Sequence, residues 1–202
     1  MVNEEDVEVF WTRGDIHSRV HLAMTKANLV NKKLEIEELF PIDQYHARGI
    51  AATVDLGKRM PIKKNQSILD IGCGLGGPAR YYAKEFGCIL TGIDITPSFV
   101  EIGNEFNKIT SMSNKVELKV GNREVLDFKN ETFDGAYSQH VTMNISNREK
   151  FFSEAFRVLK KGGFFAFTEH GLGIKGNPIF PLPWADNEKM SFLLPPEETI
   201  LL

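Results

Sequence analysis

Hydrophobic and polar positions change their rhythm near residue 66. Over residues 1–62 apolar side chains recur at helical spacing, as in Ile16, Val20, Ala23, Met24 and Ala27, with Gly14 and Pro41 as interruptions. That span reads as a cap of helices. From residue 66 short apolar runs alternate with amphipathic segments, the pattern of a parallel sheet flanked by helices. It predicts strands near 67–71, 88–93, 116–120, 133–138 and 163–169. The chain thus divides into an N-terminal helical cap over 1–62 and an α/β unit over 63–202.

The helices between these strands carry end signals. Gly77 and Pro78 suit an N-cap and first helical position, Ala79, Tyr82, Ala83 and Phe86 form one face, and Gly87 stops the helix. Thr96 and Pro97 open the next, with Phe99, Ile102, Phe106 and Ile109 facing inward. Ser146 with Glu149 reads as a capping box for a helix that buries Phe152, Ala155, Phe156 and Leu159 and ends at Lys160-Lys161-Gly162-Gly163.

Chemistry enters with residues 68–80, ILDIGCGLGGPAR, where Gly72, Gly74, Gly76 and Gly77 crowd the passage from a strand into a helix. Glycine in a regular element costs about 0.5–1 kcal/mol relative to alanine, so packing alone is a poor reason for four of them. This is the turn at which open α/β sheets hold nucleotides. Gly72, Gly74 and Gly77 satisfy GxGxxG, and Asp94 ends the second strand, where a carboxylate accepts from ribose hydroxyls. Asp70 narrows the choice of cofactor, since a carboxylate two residues before the first glycine opposes a diphosphate and favours an ammonium and a sulfonium. At about 4 Å two unit charges interact by roughly 4 kcal/mol at an effective dielectric of 20, so the sign decides. It points to S-adenosylmethionine rather than NAD(P), and no tyrosine is followed by the Tyr-x-x-x-Lys pair of short-chain dehydrogenases.

Composition sets the outer bounds. With 202 residues, 42% hydrophobic and 25% charged, the chain reads as a soluble globular protein able to bury a core. A net charge of -3 without a polybasic run argues against nucleic acid as a general partner. Residues 1–8 are acidic where a secretory signal would be basic, and no stretch approaches 18 apolar residues, so membrane insertion is not expected and the location is read as cytoplasmic. Cys73 and Cys88 read as free thiols. His17 and His21 have metal-compatible spacing but lack a third ligand, so no metal site is assigned.

ILDIGCGLGGPAR, LTGID, GNREVLDF, FDGAYSQHVTMNI and FRVLKKGGFFAF together resemble the class I S-adenosylmethionine-dependent methyltransferases over residues 66 to about 169. GLGGPAR, QYHARG at 44–49 and PLPWA at 181–185 look like the branch of sarcosine/dimethylglycine N-methyltransferases and ubiquinone or menaquinone C-methyltransferases. The resemblance implies a Rossmann-like, doubly wound, mainly parallel sheet. It implies that Asp70, Gly72, Gly74 and Gly76 line the methionine part of the cofactor, that Asp94 holds the ribose and that Ile95 packs on the adenine. Asn122 and Arg123 stand near the adenine amino group where the family usually has an aspartate and a small residue. Ser138 and Gln139 face the methyl-donor end.

At the same strand end His140 is the candidate base. Tyr45 and His46 are expected to close the site from the cap, and Phe180 and Trp184 to wall a substrate pocket from a proline-stiffened lid over 177–192. The expected activity is in-line methyl transfer to a small-molecule amine nitrogen or ring carbon, the alternatives being an NAD(P)-dependent oxidoreductase or a silent S-adenosylmethionine-binding protein. The family sheet has seven strands and only five are legible here, which predicts a C-terminally incomplete domain whose open sheet edge is covered by a missing segment or by a second copy in a homo-oligomer.

Overall fold

Five parallel strands, β1 (Ser67–Ile71), β2 (Ile89–Asp94), β3 (Val116–Val120), β4 (Phe133–Gln139) and β5 (Leu159–Thr168), lie in the order β3-β2-β1-β4-β5. The order reverses between β1 and β4, and at such a switch point the carboxyl ends of the strands leave a crevice. The structure, a computed structural model, describes residues 4–202, so residues 1–3 of the expected cap lie outside the described residues.

Apart from Ser67 and Asp70, β1 carries apolar residues on both faces because it is covered on both, and Ile68, Leu69 and Ile71 are fully buried. On one face α5 (Gly77–Phe86) inserts Ala79 and Tyr82 among Ile68, Leu90, Val116 and Tyr137. On the other, α7 (Arg148–Val158) packs Phe151, Ala155 and Val158 against Leu69, Ile71, Phe133 and Ala136. The inner side of α6 (Pro97–Ile109), with Phe99, Ile102 and Phe106, joins Met24, Leu34 and Leu39 contributed by the N-terminal region. That region holds α1 (Glu4–Trp11), α2 (Ile16–Lys26), α3 (Ile36–Asp43) and α4 (Ile50–Gly57).

Several expectations are corrected. Pro41 does not interrupt the chain; it sits inside α3, within its last turn. The N-cap of α5 is Gly76, one residue earlier than expected, and Gly77 is the first helical residue. The cap of α7 is Asn147, whose side chain accepts from the Lys150 N–H, in place of Ser146. The buried stripe of α7 is Phe151, Ala155 and Val158, spaced i, i+4, i+7, while Phe156 is 81% exposed. α7 stops at Val158, and Lys160 to Gly163 instead form an irregularity within β5, since Phe133 pairs with Leu159 while Gly135 pairs with Phe164.

Beyond β5 the described residues form a 3-10 turn, Glu188–Met190, and a short α8 (Pro196–Thr199), and β5 has a sheet partner on one side alone. No described helix is long and apolar enough to cross a membrane.

Candidate functional site

The β1–α5 turn is held to the end of β2 by its own main chain. The N–H groups of Gly72 and Cys73 both donate to the Ile93 carbonyl, at 2.8 and 2.9 Å. Next along, the Gly74 N–H donates to Asp94 Oδ2 at 2.8 Å, and the Thr96 N–H to Asp94 Oδ1 at 2.9 Å. Gly72, Gly74 and Gly76 all have positive φ, at 84°, 51° and 76°.

The glycines answer to different demands. A Cβ on Gly72 would strike Val141, one on Gly76 would come within 2.7 Å of Leu118 Cδ1, and one on Gly77 would meet the main chain and carboxylate of Asp43. Around Gly74 there is nothing within 4 Å. Packing therefore accounts for three of the four, contrary to the expectation from sequence, and Gly74 alone presents bare backbone to open space.

That space is a cavity of about 320 Å³ over the carboxyl ends of the strands. Asp70, Gly72, Gly74, Asp94, Ile95 and Arg123 line its sheet side. Gln139 and His140 line it from the end of β4, Tyr45 and His46 from between α3 and α4, and Trp11 and Val20 from α1 and α2. Five of the expected residues lie off this lining. Gly76 is packed under Leu118, Ser138 turns its hydroxyl to the Ile71 carbonyl at 2.9 Å, and Asn122 accepts from the Glu124 N–H at 2.6 Å in a local turn. Phe180 and Trp184 belong to a separate apolar cluster with Met143, Ala185 and Met190.

Burial dominates the electrostatics. It pushes the Asp70 carboxyl up to about 7, the charge of Asp94 adding to the rise and the 2.7 Å hydrogen bond accepted from the Tyr137 hydroxyl opposing it. Burial also raises Asp94, against the N–H groups of Thr96 and Gly74 and the attraction of Arg123.

Four rings run in a row from the cap to the 177–192 segment. His46 stacks on His140 with centroids 5.6 Å apart, His140 meets the edge of His170 at 4.6 Å, and His170 stacks on Trp184 at 4.5 Å. Burial, then His170 and His46, lowers the His140 imidazole to about 4, and burial also lowers His46 and His170. His140 is therefore neutral at pH 7 and an acceptor or tautomeric donor rather than a cation, and burial favours the neutral ring in the other two. His140 adopts φ 55°, a left-handed conformation fixed by its N–H donating to the Thr168 carbonyl at 2.8 Å. Its Nδ1 is buried with no hydrogen-bond partner among the described residues. Among the described residues no group of three or more His, Cys, Asp or Glu has metal-holding geometry.

Reading the sequence did not single out Trp11 or Asn144, which also line the cavity. Trp11 lies outside every motif, and Asn144 lies within the FDGAYSQHVTMNI block without a pattern that marks it for the cavity; tertiary packing brings both there.

A family described as a methyltransferase domain matches residues 69–167. Sarcosine/dimethylglycine N-methyltransferase of Aphanothece halophytica is 34% identical over 129 residues, 64% of this chain and 46% of that protein. Sterol 24-C-methyltransferase of Debaryomyces hansenii is 32% identical over 114 residues, 56% of this chain and 30% of that one. The solved Haemonchus contortus phosphoethanolamine N-methyltransferase 2, in complex with phosphomonomethylethanolamine and S-adenosylhomocysteine, shares the fold with TM-score 0.74 at 23% identity, over 96% of this chain and 43% of that one. The chain spans less than half the length of each of these three proteins.

Proposed function

We propose that this chain, whose residues 69–167 form a class I S-adenosylmethionine-dependent methyltransferase domain, transfers a methyl group from S-adenosylmethionine to a small-molecule nucleophile. The observation that carries this reading is one cavity holding two carboxylates, the buried Asp70 and the half-buried Asp94, on either side of the bare Gly74 backbone. Two acids suit an ammonium, a sulfonium and ribose hydroxyls, and they oppose a diphosphate. The oxidoreductase alternative is not supported: the matched family and both relatives are methyltransferases.

The cofactor supplies a methyl on a positively charged sulfur, which leaves as a neutral thioether. The chain supplies position and a dry setting. In this reading Gly74 and Asp70 receive the methionine end, Asp94 the ribose, and Ile95 with Arg123 the adenine side. Gln139, His140, Tyr45 and His46 then form the acceptor end. As the acceptor's new bond to the methyl carbon forms, the proton it sheds goes to the His140 imidazole or to water. Holding the nucleophile in line contributes on the order of 7–11 kcal/mol, more than one base typically adds. Trp184 acts at one remove, backing His170, which abuts His140.

The acceptor we propose is an amine nitrogen or a ring carbon; the relatives' names point to nitrogen in one and to carbon in the other. Two free buried cysteines suit a reducing compartment such as the cytoplasm. The bare outer side of β5 is where a further segment or a second copy would add. Calorimetric titration with S-adenosylhomocysteine tests the reading: saturable binding that Asp94→Ala removes is expected. Absence of binding by the parent protein, or competition by NADH, overturns it.

A further inference from the structure

Asn144 is 5% exposed and uses every hydrogen-bonding group of its side chain on partners far away in sequence. Its Nδ2 donates to the carbonyls of Trp184 and Met190, each at 3.0 Å. Its Oδ1 accepts from the Trp11 indole N–H at 3.3 Å. Its own carbonyl accepts from Arg123 at 3.1 Å, and the preceding Met143 carbonyl accepts from the Phe192 N–H at 2.8 Å. Trp11 and Asn144 both line the cavity. The first helix and the 184–192 segment thus meet at one amide beside the proposed cofactor site.

We infer that Asn144 is a positioning residue for the proposed methyl transfer, its amide holding the cavity-lining Trp11 against the 184–190 segment, which lies behind that wall. The inference rests on the methyltransferase reading for its catalytic meaning and on the hydrogen bonds alone for the tie. An amide side chain suits this junction because it offers two donors and an acceptor in one plane, and a buried partner left unpaired by its loss is expensive. A carboxylate of the same shape would keep the bond from Trp11 and lose both donations to the 184–190 segment. Alanine would lose all three.

The chain has two tryptophans, and both are tied to this residue, so fluorescence reports on it directly. In a Trp11→Phe background the emission belongs to Trp184. There Asn144→Asp is expected to raise acrylamide quenching at least about twofold, as for a segment released to local opening. With Trp11 present, the same substitution is expected to weaken S-adenosylhomocysteine binding roughly tenfold. Added S-adenosylhomocysteine should protect Trp184 from quencher in the Trp11→Phe protein and not in that protein carrying Asn144→Asp. If Asn144→Ala fails to fold, Asn144→Asp carries the test by itself.

Quenching and affinity unchanged in Asn144→Asp overturn the inference. A parent protein that binds no S-adenosylhomocysteine overturns the methyltransferase reading instead, and the quenching comparison then decides the tie alone.

Discussion

Arg80 Nη2 lies 2.9 Å from Asp43 Oδ2, and both side chains are sealed from solvent at 0% and 1% exposure. The pair joins the last turn of α3 to the first turns of α5, directly behind the glycine turn. Arg80 Nη1 also donates to the Gly103 carbonyl at 3.1 Å and to Asn107 Oδ1 at 2.8 Å, so one guanidinium fixes α3, α5 and α6 together. Asp43 in turn occupies the space where a Cβ on Gly77 would stand. The glycine turn is shaped from behind by this ion pair as much as by its own glycines.

Removing one partner strands the other as a buried charge, which typically costs about 3–5 kcal/mol. Arg80→Met and Asp43→Ala are each expected to lower the melting temperature by on the order of 10 °C. The double variant should recover part of the loss. Calorimetric scans of the three variants check this, and singles that melt with the parent would show that the pair carries no net stabilisation.

The sheet was legible because its inner strands are buried on both faces, which writes them as short, largely apolar runs such as Ile68, Leu69 and Ile71 of β1. The acids and glycines at the strand ends were legible because the β–α turn imposes a local pattern. What escaped was set by partners distant in the chain. Asp43 and Arg80 are separated by 37 positions, Trp11 and Asn144 by 133, and neither pair has a spacing to find. The end of α7 was misread for another reason: Lys160-Lys161-Gly162-Gly163 satisfies the rules for a helix stop, and the same small and flexible residues also permit the irregularity that β5 contains. Ser138, next to last in β4, is expected in the site from its place near the strand end, but its hydroxyl donates to the Ile71 carbonyl instead.

Asp94 offers the cleanest loss of binding. It already accepts from Gly74 and Thr96, and an ionised carboxylate has capacity left for ribose hydroxyls. Asp94→Asn is expected to raise the dissociation constant for S-adenosylhomocysteine about tenfold and Asp94→Ala further, the scale of one or more charge-assisted hydrogen bonds. Affinities within twofold of the parent in isothermal titration would remove Asp94 from the cofactor site.

Asp70 predicts the pH dependence of that binding. Its carboxyl is raised from 3.8 to about 7 in the folded protein, so it is largely protonated at pH 6 and largely ionised at pH 8. A ligand bearing an ammonium favours the ionised form, so affinity should climb roughly tenfold from pH 6 to pH 8 and level off above. For folding the sign is opposite: the native state holds the proton more tightly than the unfolded chain, so this contribution is full below pH 3.8 and is lost as pH rises to about 7. Asp70→Asn keeps the shape and should flatten the binding curve. A curve equally steep in the variant would assign the dependence to another group.

His140 is neutral down to about pH 4, so no protonation of this group should limit turnover between pH 6 and 8. Asn tolerates its left-handed backbone, which makes His140→Asn the appropriate replacement. Loss of a general base is expected to lower kcat by about 10²–10⁴ while the affinity for S-adenosylhomocysteine stays within a few-fold. Single-turnover assays with an amine or phenol that the parent methylates separate the two. A kcat within threefold of the parent would make His140 an orienting group only.

The glycine turn gives the sharpest contrast between packing and binding. Gly74 has positive φ but no neighbour within 4 Å, so Gly74→Ala adds backbone strain of about 1–2 kcal/mol and no clash. Gly76→Ala meets the same strain with Leu118 Cδ1 only 2.7 Å from the new carbon, and overpacking adds about 1–3 kcal/mol more. Gly76→Ala should therefore be the less stable protein in urea titration. Gly74→Ala should be the poorer binder, because its methyl enters the space proposed for the cofactor. If Gly74→Ala binds S-adenosylhomocysteine as the parent does while Gly76→Ala loses both stability and binding, the bare backbone at Gly74 serves the turn and not a ligand, and the cofactor must lie elsewhere in the cavity.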